Sequence, residues 1–289
     1  MKSSPAPCAL PFFLPAEPGQ RFCLFHRPGP GQQVRGAVLY VHPFAEEMNQ
    51  TRRMAALQAH AFAAQGYGVL QIDLYGCGDS SGDFRDASWS IWKQDLALAC
   101  DWLTQRMSGP ISLWGLRLGA LLALDFSQNA STPFERLILW QPITSGKSYL
   151  NQFLRLRIAS DMLADDASSE RSERNESSAR SASGSSSATL RAQLAAGASV
   201  EVAGYELASE LAAAIDLQDV GTCAPRCPVH WFELTTAGAM APAVERHVQR
   251  WREAGVRLQL HPVDGVPFWA SSEIAECPAM LAATGTLPL

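Results

Sequence analysis

Ile111-Ser112-Leu113-Trp114-Gly115-Leu116-Arg117-Leu118-Gly119-Ala120-Leu121-Leu122-Ala123 is the stretch that decides the architecture. It reads as a short apolar strand, a Gly-x-x-x-Gly turn and the start of a small-residue helix. This is the frame of a G-x-S-x-G nucleophile elbow, where a strained strand-to-helix turn lifts one side chain above a sheet. The glycines permit the tight turn and let strand and helix approach closely. The raised position holds Arg117 rather than Ser, Cys or Asp.

On either side, strands alternate with helices. Phe22 to His26 and Gly36 to Val41 read as strands, the second apolar throughout, as a strand buried on both faces should be. A helix is expected from about Arg52 to Gln65, stopped at Gly66, then a buried strand over Val69 to Asp73. Trp89 to Met107 has amphipathic helical spacing. A helix runs from the elbow to about Asn129, and a strand covers Arg136 to Trp140. Such alternation predicts an α/β fold with a mostly parallel sheet. Sites in such folds lie at the carboxyl ends of the strands. The loops that begin at His42, Asp73 and Gly115 all start there.

After Gln141-Pro142 the regularity breaks. A helix is expected over Ser148 to Met162. Asp165 to Thr189, dense in Ser, Arg, Glu and Ala, lacks the apolar surface to offset ordering entropy and is expected to be disordered. Order returns at Val200 to Leu207, followed by a helix to about Ile215. Residues 145–217 therefore read as an inserted lid, and 1–144 with 218–289 as the core. Val229 to Leu234, a helix over Ala243 to Ala254 and a last strand over Val256 to Leu260 resume the alternation. A closing helix is expected over Ser271 to Leu281, with Ser271 or Ser272 as its N-cap.

Composition bounds the function. The 289 residues are 47% hydrophobic with a formal net charge of -5, which suits a substantial core and gives no sign of nucleic-acid binding. No apolar run reaches the ~20 residues of a membrane span, and the N-terminal residues lack the apolar run of a secretory signal. Seven scattered cysteines point to reduced thiols and a cytoplasmic setting. Cys223-Ala-Pro-Arg-Cys227 has no second ligand pair, so no metal is expected, and no cofactor.

The strand-His42-Pro43 loop, Asp73-Leu74-Tyr75-Gly76-Cys77-Gly78-Asp79-Ser80 and the Gly115 to Gly119 elbow together resemble an α/β-hydrolase over roughly residues 20–142 and 225–283. More narrowly, Gly115 to Ala120, Leu139 to Lys147, Val202 to Leu207 and Val266 to Trp269 resemble the exosortase A system-associated hydrolase 2 family. That resemblance implies hydrolysis of an ester, thioester or related acyl group, within bacterial loci for exopolysaccharide synthesis and PEP-CTERM protein sorting. Proteins of such a pathway are then candidate partners.

A hydrolase of this fold needs nucleophile, acid and His in chain order. The nucleophile slot holds Arg117, a permanently protonated guanidinium with no lone pair to attack a carbonyl. The expected acid loop, Thr235 to Met240, has no carboxylate, although Glu233 lies just before it. The His slot, near Gly265, reads Phe268, with His261 and Asp264 a turn early. The residues alone therefore also support a non-catalytic protein holding a small anionic or acyl ligand. Arg117 would then serve an anion site at a helix N-terminus, or an internal ion pair with Asp73, Asp79, Glu46 or Glu47. His42 could act as base or oxyanion donor, or fix its loop by hydrogen bonding. Ser80, Ser81 and Cys77 are stand-in nucleophiles, or turn chemistry. Phe44, Asp73, Cys77, Leu116, Leu118, Phe268 and Trp269 are the expected ligand-binding residues. Trp89, Trp114 and Trp140 join Trp269 in an expected Trp-rich mouth.

Overall fold

Alternation of side chains across the pleat sorts the core into two layers. In the computed structural model, which describes residues 9–172, 186–235, 240–271 and 273–287, the chain begins with β1 (Ala9–Pro15), β2 (Gln20–His26) and β3 (Gly36–Val41). Then come α1 (Glu46–Ala64), β4 (Tyr67–Ile72), α2 (Trp89–Arg106), β5 (Ile111–Leu116), α3 (Leu118–Asn129) and β6 (Phe134–Trp140). All six residues of β3 and of β5 are buried. Ala37, Leu39, Val41, Ile111 and Leu113 enter one apolar cluster with residues of α2 and α3. Val38, Tyr40, Trp114 and Leu116 enter the other with Met54 and Phe62 of α1. A strand can supply two cores only when helices cover both faces of the sheet.

Between β6 and the next sheet strand the chain forms α4 (Gly146–Ser172), α5 (Ser187–Ala195), the hairpin of β7 (Val200–Val202) and β8 (Tyr205–Leu207), and α6 (Ser209–Asp216). The sheet resumes with β9 (Val229–Thr235), followed by α7 (Pro242–Glu253), β10 (Leu258–Asp264) and α8 (Pro278–Gly285). The large sheet has eight strands in the order β1-β2-β4-β3-β5-β6-β9-β10. β2 runs antiparallel to β1 and β4, and the remaining pairs are parallel. The mostly parallel α/β sheet expected from the sequence is therefore present.

Four local expectations are corrected, and one strand is added to those read from the sequence. β1 carries Pro11 and Pro15, which break the apolar signal but are tolerated on an edge strand. α1 begins at Glu46, so Glu46 and Glu47 form its acidic first turn instead of a loop. The last strand is Leu258–Asp264, which takes His261 and Asp264 into the sheet. α8 starts at Pro278, where a missing N–H costs nothing; Ser271 lies outside any helix and Ser272 outside the described residues. Within the stretch expected to be disordered, α4 runs on to Ser172 and α5 begins at Ser187, while 173–185 fall outside the described residues.

The two elbow glycines are there because backbones meet. A Cβ at Gly115 would stand 2.5 Å from Cα of Ala120, and one at Gly119 would collide with the carbonyl oxygens of Val41 and His42. Gly119→Ala should therefore destabilise the protein by about 1–3 kcal/mol, as overpacking does. A urea midpoint lowered by less than the equivalent of 1 kcal/mol would show that α3 can draw back from β3.

Candidate functional site

Arg117 lies between β5 and α3 with φ 55° and ψ -120°, a conformation that costs a non-Gly residue about 1–3 kcal/mol. The surroundings fix it. Its N–H donates to the Trp140 carbonyl at 3.0 Å, and its own carbonyl accepts from the N–H groups of Ala120 (3.1 Å) and Ile143 (3.3 Å). The turn is thus the expected elbow, with a guanidinium raised on it.

Glu47, in the first turn of α1, meets that guanidinium. Nε and Nη2 of Arg117 both donate to its Oε1, at 3.3 and 3.2 Å. The side chains are 15% and 18% exposed. Arg117 Cζ also sits 4.8 Å from the Trp269 ring centroid and 5.7 Å from that of Tyr149, within range of cation–π attraction. Burial pushes the Glu47 pKa up, against the Arg117 charge and the Tyr149 hydroxyl, which favour the ionised form. Burial, and then the Glu47 charge, hold the Tyr149 phenol well above its usual range.

The pair lines a cavity of about 380 Å³, within the ~300–1,000 Å³ of small-molecule sites. Phe44 and Ala45 from the loop after β3, Tyr149, Phe153 and Leu156 from α4, and Trp269 give it apolar walls. Glu46, Gln50, Gln152 and Ser271 add polar groups.

The other expected site residues are engaged elsewhere. His42 is buried, with Nδ1 on the Pro43 carbonyl (2.7 Å) and Nε2 on the Leu74 N–H (3.2 Å). Those partners require the neutral Nδ1–H tautomer, and burial lowers its pKa. Ser80 donates to the Asp73 carbonyl and accepts from the Phe22 N–H, while Ser81 accepts from the Gln20 N–H. Both tie the glycine-rich loop to β2. Asp73 pairs with Arg52 at 3.0 Å and accepts the Asp79 N–H; Arg117 takes Glu47 instead. Cys77 is buried, and its thiol is pushed up by burial and then by Asp73 and Asp95, the reverse of an activated thiolate. Leu116 packs in the core on the α1 face and Leu118 in the opposite apolar cluster. Phe268 is fully buried between Trp140 and Trp269.

The Trp-rich mouth reduces to Trp269. Trp114 and Trp140 meet edge to face at 4.8 Å inside the core, and Trp89 packs on Trp92 in the opposite layer. Of the acid loop, 236–239 lie outside the described residues. Glu233 is in β9, its oxygens accepting from Gln141 Nε2 and Trp231 Nε1, each at 2.8 Å. In the turn after β10, Trp269 rather than Phe268 faces Arg117.

Sequence reasoning missed Tyr149, Gln152, Phe153 and Leu156. Their spacing along one helix face was the available signal.

The serine aminopeptidase, S33, family matches residues 32–190. Est1E from Butyrivibrio proteoclasticus, solved with ferulic acid bound, superposes with a TM-score of 0.64 over 95% of this chain and 96% of its own, at 13% identity. A soluble variant of Saccharomyces cerevisiae monoglyceride lipase, in complex with a substrate analog, gives 0.58 over 90% and 87%, at 15% identity. The thioesterase domain from the curacin biosynthetic pathway gives 0.54 over 96% and 99%, at 17% identity. At such identities the likeness speaks for the fold alone. No curated protein matches the chain.

Proposed function

We infer the function from the premise that the chain belongs to the serine aminopeptidase, S33, family of α/β-hydrolases. On that scaffold the protein binds a small acyl ligand ending in a carboxylate, without a Ser-His-Asp triad. Arg117 is the anion-binding group. Phe44, Phe153 and Trp269 enclose the acyl chain, and the segment carrying α4 to α6 acts as a lid. The observation that carries this reading is the occupant of the elbow. A guanidinium there, ion-paired to Glu47 and stacked on Trp269, has the chemistry to fix an anion and none to attack a carbonyl.

A fluorophosphonate and p-nitrophenyl acyl ester screen, run beside a binding titration with octanoate to dodecanoate, tests it. The expected result is saturable carboxylate binding without labelling. Stoichiometric labelling of a serine would overturn it.

Family membership and the preserved turn favour a second reading, acyl-ester or thioester hydrolysis by a site that departs from the triad. That reading requires turnover that co-purifies with the protein and disappears in Arg117→Ala. The four segments that resemble the exosortase A system-associated hydrolase 2 family support a ligand and partners from an exopolysaccharide or PEP-CTERM sorting pathway. Scattered cysteines support a cytoplasmic setting. Among the described residues, no helix is long and apolar enough to cross a membrane.

A further inference from the structure

We propose that Glu47 is a placeholder for the ligand: an incoming carboxylate displaces it from Arg117, and Glu47 takes up a proton from solvent as it lets go. The proposal rests on the carboxylate-binding reading above and adds to it a competitor built into the chain and a proton that accompanies binding.

The geometry of the pair points this way. An arginine fork matches a carboxylate best when two N–H groups meet two oxygens at about 2.7–2.9 Å. Arg117 instead sets two N–H groups on one oxygen at 3.2 and 3.3 Å. Glu47 Oε2 is shut off from solvent and takes no N–H from Arg117. The pair is therefore longer than the best fork geometry, and both members line the cavity. A free carboxylate offering two oxygens in line would be the better partner.

The charges require the proton. Among the described lining residues Arg117 is the one cation. Glu46 of α1 lines the same cavity, Tyr149 of α4 faces Glu47, and Glu233 of β9 feels the Arg117 charge. A ligand carboxylate added to an ionised Glu47 would leave surplus negative charge in a partly closed space. Burial already raises the Glu47 pKa against the pull of Arg117; removal of that pull leaves the rise unopposed. Because binding takes up a proton, affinity increases as pH falls, by at most about tenfold per unit, until the ligand's own carboxyl protonates near about pH 4–5.

The test is calorimetric titration of decanoate into the wild type and Glu47→Gln, in two amine buffers of different ionisation enthalpy, at about pH 6 and about pH 8. In the wild type the enthalpy should differ between buffers by close to one proton's worth of buffer ionisation, and affinity should fall as pH rises. Glu47→Gln should bind about tenfold or more tighter at the higher pH, with no buffer or pH dependence. Binding to Glu47→Gln alone would equally support the placeholder. Equal enthalpies in both buffers and an unchanged affinity in Glu47→Gln would overturn it while leaving the binding reading intact. Absence of decanoate binding to either protein would defeat the binding reading and this inference with it. Should Glu47→Gln fail to fold, the buffer dependence of the wild type decides.

Discussion

Arg117→Ala loses decanoate binding by about one and a half to three and a half orders of magnitude in Kd. Truncation of one member of a buried, hydrogen-bonded charge pair costs about 2–5 kcal/mol, and each ~1.4 kcal/mol is tenfold. The variant also leaves Glu47 without its cation, so the carboxyl pKa rises further in the folded state than in the unfolded chain. A folded pKa above the unfolded value of about 4.3 gives stability that is whole below that pH and drains away as pH rises. The loss of stability in Arg117→Ala should therefore be larger at pH 8 than at pH 5, as read by urea denaturation. Arg117→Gly should lose binding equally yet be about 1 kcal/mol or more stabler than Arg117→Ala, because φ 55° strains any residue with a Cβ. An unchanged Kd in either variant would remove Arg117 from the ligand site.

Arg21→Leu should be the most destabilising single change away from the cavity, at about 3–5 kcal/mol. Arg21 is 0% and Asp95 2% exposed, and their contact is 2.6 Å. Arg21 also donates to the Pro18 carbonyl, and the other Asp95 oxygen takes the Tyr75 N–H at 2.8 Å. The pair thus fastens β2, α2 and the loop after β4 together. Leucine would leave Asp95 buried beside no cation, with burial already raising its pKa. Arg21→Met combined with Asp95→Leu should recover much of the loss, since an apolar pair needs no charge desolvated. Denaturant midpoints of the single and double variants check this. A cost below about 1 kcal/mol would show that solvent reaches Asp95 once the guanidinium is gone.

The sheet was legible because strands buried on both faces are written as unbroken apolar runs, as in β3 and β5. The elbow was legible because its glycines answer a backbone collision that no other residue can satisfy. Beyond that the signal thinned for identifiable reasons. Glu47 and Arg117 are 70 residues apart, and nothing local in either segment names the other. The spacing of Tyr149, Phe153 and Leu156 marks a helix face without saying what it covers. In the turn after β10, one residue decides between facing the core and facing the cavity, so of the two expected ligand-binding residues Phe268 is buried in the core and Trp269 lines the cavity. Trp114 and Trp140 looked like a mouth because strand ends and strand interiors carry the same residue types.

Adjacent residues of α1 hold partners in different parts of the molecule. Glu46 accepts the Tyr205 hydroxyl of β8 at 3.0 Å, supported by Asn49, and Arg85 clasps the next residue of that strand, Glu206, at 3.2 Å. Glu47 holds Arg117. One helical turn is therefore a shared bearing for the β7–β8 hairpin and for the elbow. A rotation of that turn that releases Glu47 also pulls on Glu46. The contact that holds the hairpin and the one that holds the elbow are thus joined by a single peptide unit.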